Sequence, residues 1–147
     1  MARVDFYIWP MCNRRQHEKA LCHIVQAAYK TKMKAIVFFE NSKDCEYFDS
    51  LLWTFEDVSF IPHGRDDHIA PITLTTEGDN FEAKLLINLS EIVPKFADSF
   101  EQIIETAGHD DASRTIARQK YNTYRKEEYE IFSHELKAIT SHENFNL

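Results

Sequence analysis

A chain of 147 residues has the size of one domain, and 44% hydrophobic with 13% aromatic residues supply enough core material to exclude wholesale disorder. With 17 basic against 24 acidic residues, the net charge of -7 argues against a general nucleic-acid coat protein. No apolar run approaches the roughly 20 residues of a membrane-spanning helix, and the start lacks the basic-then-apolar build of a signal peptide.

In chain order, residues 3–9 combine β-branched and aromatic types and stop at Pro10, which predicts a strand. Residues 15–32 carry Leu21, Ile24, Val25 and Ala28 at the spacing of an amphipathic helix. Residues 35–39 form a continuous apolar run, typical of a strand buried on both faces. A second helix follows, capped by Asn41 or Ser42, with Cys45, Phe48 and Leu52 turned inward. Strand, helix, buried strand, helix is the order of a doubly wound α/β sheet.

The second half is less regular. Residues 58–61 read as a short strand ended by Pro62, 64–71 as a polar loop, and 72–75 as another strand. Gly78-Asp79-Asn80 marks a turn, and 84–89 read as a further buried strand. Residues 96–106 fit either a helix or a strand. Asp110 or Asp111 caps a helix expected to reach about Glu128. One compact domain over 1–128 is expected, and 129–147, with Ile131, Phe132, Leu136 and Ile139, form an extension that is either helical or partly disordered.

The three glycines, Gly64, Gly78 and Gly108, stand far apart. A phosphate-cradling loop or a dinucleotide fingerprint needs glycines a few residues apart, so that backbone N–H groups can approach phosphate. Neither can be written here, and a serine nucleophile elbow is missing as well. The three scattered cysteines read as reduced thiols of a cytoplasmic protein. Cys12, His17, Cys22 and His23 lack the spacing of a zinc site, and Asp66-Asp67-His68 and His109-Asp110-Asp111 read first as turn and cap residues, with a metal-dependent hydrolase as the weaker alternative. No catalytic, metal or cofactor site is expected.

Residues 114–126 hold Arg114, Arg118, Lys120, Arg125 and Lys126 with no acidic residue among them. On a helix, Arg114, Arg118, Tyr121, Asn122 and Arg125 share one face. Arginine forks grip carboxylates and a tyrosine offers a flat wall, so an acidic peptide ending in an aromatic residue and a free carboxylate would suit this face. The alternatives are a solvated helix face and a contact with single-stranded nucleic acid, with a tyrosine stacking on a base. Trp53 and Phe60, with Pro62 and His63 beside them, read either as core or as an interface anchor.

Four stretches then occur together in order: Val4-Asp5-Phe6-Tyr7-Ile8, the W-x6-F-x-P-H pattern of Trp53, Phe60, Pro62 and His63, Leu85-Leu86-Ile87-Asn88-Leu89, and the A-R-x-x-Y-x-x-Y-R pattern of Ala117 to Arg125. In these the chain resembles the chi subunit family of bacterial DNA polymerase III, over most of residues 3–126. The resemblance implies a Rossmann-like, three-layer α/β sandwich with a mainly parallel sheet and no nucleotide-binding loop. It also implies a non-catalytic clamp-loader adaptor with two partners, the psi subunit and the acidic C-terminal tail of the single-stranded-DNA-binding protein. Contact with single-stranded DNA would be indirect, and an accessory helicase is a further candidate for the aromatic face. By motif position Trp53 and Phe60, with Pro62 and His63, match the psi-binding block. Arg118 and Tyr121 match the tail-binding helix, joined by Arg114, Lys120 and Arg125. Asn122 departs from the pattern, standing where a chi-like helix offers a lysine.

Overall fold

The computed structural model describes residues 2–55, 61–78, 82–138 and 141–147. Most of the strand expected at 58–61, with Phe60, lies outside them, as do Asp79 and Asn80 of the expected turn and Ile139.

Helix α1 (Arg14–Lys30) begins where Asn13 accepts the Gln16 N–H at 2.8 Å while the Gln16 side chain accepts the Asn13 N–H, a reciprocal capping box. Helix α2 (Ser42–Thr54) starts at Asn41 and α3 (Asp111–Lys126) at Asp110, each cap accepting a backbone N–H three residues on. Seven strands alternate with them: β1 (Arg3–Ile8), β2 (Ala35–Phe38), β3 (His63–Arg65), β4 (Ile72–Thr75), β5 (Leu85–Asn88), β6 (Gln102–Ala107) and β7 (Glu130–Glu135). They form one sheet in the order β3-β4-β2-β5-β6-β1-β7, and every neighbouring pair is parallel. The ambiguous segment 96–106 divides into a single 3-10 turn (Ala97–Ser99) and β6. The loop expected from Gly64 begins with part of β3 instead.

A parallel sheet must be covered on both faces, which gives three layers. On one face Ile24, Val25 and Ala28 of α1 and Cys45, Phe48 and Leu52 of α2 pack on Tyr7, Val37, Leu85, Ile87 and Ile104. On the other, Ala117 and Tyr124 of α3, with Ala97 and Phe100, pack on Val4, Phe6, Ile36, Leu86 and Ile103.

The residues after 128, expected as a helical or loose extension, supply the edge strand β7 and then close over the α1 face. Glu128, at φ 63°, breaks α3 in the left-handed conformation that usually falls to glycine, and Tyr129 N–H bonds back to the Tyr124 carbonyl. Past β7, Leu136 N–H donates to the Ile8 carbonyl at 2.8 Å, Phe145 packs edge-on against Tyr7, and the Tyr7 hydroxyl donates to the Asn146 carbonyl.

Asp5 secures this edge. Only 1% exposed, its carboxylate accepts from Arg3, from Gln102 on β6 at 3.0 Å and from His134 on β7 at 2.8 Å, so one side chain ties three adjacent strands. Burial alone would raise its pKa, but these hydrogen bonds outweigh burial and hold it below the ordinary 3.8. A depressed folded pKa means the carboxylate's contribution is fully present above the unfolded value and is lost as pH falls through the folded one. Urea midpoints of the wild type should therefore drop on acidification below about pH 4, and Asp5→Asn, less stable near neutrality by about 1–3 kcal/mol, should drop less steeply.

Candidate functional site

Helix α3 divides into an inward and an outward face. Ala117, Lys120 and Tyr124, at spacings of three and four, turn to the sheet. Arg118, Tyr121, Asn122 and Arg125 turn to solvent.

Lys120 is thereby removed from the surface set in which the sequence places it. It is only 6% exposed, and its ammonium lies 2.5 Å from Glu105 Oε1 on β6 and donates to the Ser90 carbonyl at 3.0 Å. Glu105, fully buried, also accepts from the Tyr124 hydroxyl at 2.6 Å and from the Asn88 amide at 2.8 Å. Burial pushes the Glu105 carboxyl up, against the pull of Lys120 and the two neutral donors. Burial and the facing carboxylate push the Tyr124 phenol well above its ordinary value, so it stays a donor. Two signals in the sequence point to this pair: Lys120 sits on the 117–120–124 stripe of α3, and Glu105 interrupts an otherwise uncharged strand.

The remaining helix residues border a groove of about 320 Å³ between α3 and β7. Phe6 and Ile8 of β1 form its floor with Ala107 and Ala117. Tyr121, 36% exposed, forms one wall, its ring centroid 5.8 Å from that of Phe6. Arg114 and Arg118 reach over the floor, and Ser133 and Glu135 of β7 stand opposite. Arg114 is half-buried and held, Nη2 donating to the Trp9 carbonyl at 3.3 Å and Nε to the Gly108 carbonyl at 3.4 Å. Gly108 permits this: its φ is +129° and a Cβ there would lie 1.9 Å from the Trp9 oxygen. Arg118 has no ion pair or hydrogen bond to its side chain among the described residues. The groove brings Arg114, Arg118 and Tyr121 together; Asn122 and Arg125 lie further along the same exposed face.

The aromatic block is on the opposite face of the sheet and at its opposite edge, where α2 contacts β3 and β4. Trp53 is 58% exposed, an interface-like position rather than a core one. Its ring centroid lies 5.0 Å from that of His63, whose side chain is 1% exposed, with Nδ1 2.6 Å from the Ile61 carbonyl and Nε2 2.9 Å from Asp49 but misaligned for a hydrogen bond. Arg65 bridges Glu46 and Asp49 beside it. Pro62 is half-buried.

Elsewhere, a crevice of about 570 Å³ opens near the carboxyl ends of the strands, where open α/β sheets commonly bind ligands. His17 and His109 stack there at 3.8 Å, and burial, reinforced by the second imidazole, lowers His17 to about 4. Asp110 is the α3 cap, Asp67 accepts the Ile69 N–H within its own turn, and burial pushes the Cys22 thiol up to about 12. Among the described residues no three His, Cys, Asp or Glu side chains gather as a metal site, and no helix is long and apolar enough to cross a membrane.

Comparison with known proteins places the sequence among its relatives. The family described as DNA polymerase III chi subunit, HolC, matches residues 1–132. The chain is 30% identical over 142 residues to the DNA polymerase III subunit chi of Pseudomonas aeruginosa, covering 95% of this chain and 100% of that one. It is 30% identical over 114 residues to the protein of that name from Haemophilus influenzae, covering 74% and 79% of the two chains. It is 23% identical to the one from Escherichia coli, covering 74% and 78%.

The two lysine and arginine positions separate cleanly by stability. Removing one partner of a buried ion pair leaves an uncompensated charge, so Lys120→Ala should cost about 3–5 kcal/mol in urea unfolding, whereas Arg118→Ala, two residues away on the exposed face, should stay within about 0.5 kcal/mol.

Proposed function

The chain belongs to the DNA polymerase III chi subunit family and is a replication subunit, and we propose that it acts as a non-catalytic adaptor, docking the acidic C-terminal tail of the single-stranded-DNA-binding protein in the α3–β7 groove and the psi subunit of the clamp loader at the Trp53 face. The observation that carries this reading is the groove itself, in which the Arg118 guanidinium, unpaired among the described residues, stands beside an aromatic wall over an apolar floor. A peptide ending in an aromatic residue offers the complement of each: its carboxylate to Arg118, supported by Arg114, and its final ring to Tyr121 and Phe6. Charge-assisted hydrogen bonds of this kind contribute about 1.5–3 kcal/mol each. Arg125 and Asn122 would meet acidic residues upstream, and Lys120 would serve by positioning the helix rather than by contact.

Trp53, with Pro62 and His63 near it and Phe60 completing the block, would dock psi through buried apolar area. An accessory helicase is a further candidate for that face. The two surfaces lie near opposite sheet edges, whose edge strands β3 and β7 are six strand spacings or roughly 29 Å apart, so both partners could be held at once. The work done is then mass action in the cytoplasm, at the replication fork: tethering raises the local concentration of the polymerase assembly near coated single strands, without cofactor, metal or bond chemistry.

Calorimetric titration with a synthetic tail peptide, and with the same peptide lacking its last residue, tests the groove. Micromolar binding to the full peptide alone is expected, weakened by about 1.5–3 kcal/mol in Arg118→Ala. Equal binding by that variant would move the site elsewhere, and binding to an oligonucleotide alone with a steep salt slope would make α3 a nucleic-acid surface instead. Trp53→Ala should leave peptide affinity intact and reduce psi capture in a pull-down; loss of both would mean the variant had misfolded.

A further inference from the structure

The groove has two unlike ends. Strand β7 runs parallel to β1 with Ser133 opposite Phe6 and Glu135 opposite Ile8, so the residues that alternate onto the α3 side are Ile131, Ser133 and Glu135. Helix α3 returns antiparallel to the strands, its first turn beside the end of β6 and its last beside the start of β7. Glu135 therefore stands at the Arg114 end. Its carboxylate is exposed and makes no ion pair or hydrogen bond among the described residues. Arg114 makes no ion pair with it, since the Arg114 fork is directed to the Trp9 and Gly108 carbonyls, so this end holds one cation and one carboxylate. Toward the other end the exposed face carries Arg118 and then Arg125 and Lys126 in the last turn. Glu127, next in the chain, borders a different depression with Val93 and Pro94, and Glu128 lies beyond the helix in the turn to β7.

We propose that Glu135 is a specificity-determining residue that fixes the direction of a bound acidic peptide: the terminal carboxylate sits at Arg118, the acidic segment runs toward Arg125, and the Glu135 end admits no acidic side chain. This rests on the groove being the peptide site. The physical basis is the asymmetry of like and unlike charge along one channel. An acidic residue laid toward Glu135 meets a carboxylate that offsets the Arg114 charge, whereas one laid toward Arg125 runs along Asn122, Arg125 and Lys126, a stretch without a carboxylate. Arg118 and Arg125 are seven residues apart, about 10.5 Å along the helix, which an extended peptide covers in roughly three residues.

The test uses a synthetic peptide of nine residues ending in Phe with a free carboxylate, three aspartates upstream and a nitroxide at its N-terminus. Broadening of backbone amide signals of the full chain then reports which end the label visits. In the wild type, broadening is expected around Asn122 to Lys126 and absent around Arg114 and Glu135. In Glu135→Gln, broadening should appear at both ends, and affinity for the aspartate peptide should rise about two- to fivefold, the worth of one exposed charge contact. A control peptide with asparagines in place of the aspartates should not distinguish wild type from Glu135→Gln. Broadening at the Glu135 end in the wild type, or identical patterns in both proteins, would overturn the proposal while leaving the groove as the peptide site. Absence of any peptide binding by the wild type would overturn the tail reading together with this one.

Discussion

The Lys120–Glu105 pair is the constraint on which the outward face of α3 depends. Two charges taken from water cost several kcal/mol each, and their attraction offsets that only when the remaining lone pairs and protons are satisfied. Here they are: Tyr124 and Asn88 complete the carboxylate, and the Ser90 carbonyl takes a further ammonium proton. Such a network has one good geometry, and an apolar contact of the same size would tolerate a few degrees of roll. By pinning Lys120 and Tyr124 against β6, it fixes how α3 is rotated about its own axis. That rotation is what turns Arg118, Tyr121, Asn122 and Arg125 outward as a set.

A second buried carboxylate builds the other wall. Asp5 joins β1 to β6 and β7, and without β7 the outward face of α3 would look onto open solvent rather than a groove. The C-terminal residues then return to the α1 face and bury Phe145 against Tyr7 and Trp9, so the edge strand is held by packing on one side and by Asp5 in the sheet. Arg3 lies over the Phe132 ring at 4.1 Å and covers the apolar part of that edge, which limits its appeal as a template for a further strand.

The fold is one that often binds nucleotides at the carboxyl ends of its strands, and here the crevice at that place is bordered by stacked imidazoles and capped helix ends rather than a glycine-rich loop. The groove and the exposed Trp53 lie instead on the flanks, at opposite edges and on opposite faces. Seven parallel strands separate the two, and neither involves the sheet's usual ligand site.

Much of this was legible in the amino-acid order. The apolar run at 35–39, the stripe of α1, the Asn41 and Asp110 caps and the scarcity of glycine fix a doubly wound sheet without a phosphate loop, because local propensity and burial agree there. The two motif patterns picked out the family, and the second of them holds three of the nine residues that border the groove, Ala117, Arg118 and Tyr121. What the order of residues left open was decided by contacts distant in sequence. Lys120 looked like one more surface cation until Glu105, fifteen residues earlier, drew it inward. Residues 129–147 carry apolar spacing that suits helix or strand, and only the open edge of β1, with Asp5 waiting for His134, makes them a strand. Trp53 is core by residue type and exposed by position, since a helix face is buried or bare according to what the sheet leaves uncovered. The sequence by itself determined the elements of the first half, the start of α3 and the family resemblance; the tertiary structure alone decided the edge strand β7 and which charges are buried and which are offered, because burial and edge pairing are properties of neighbours that the chain meets only once folded.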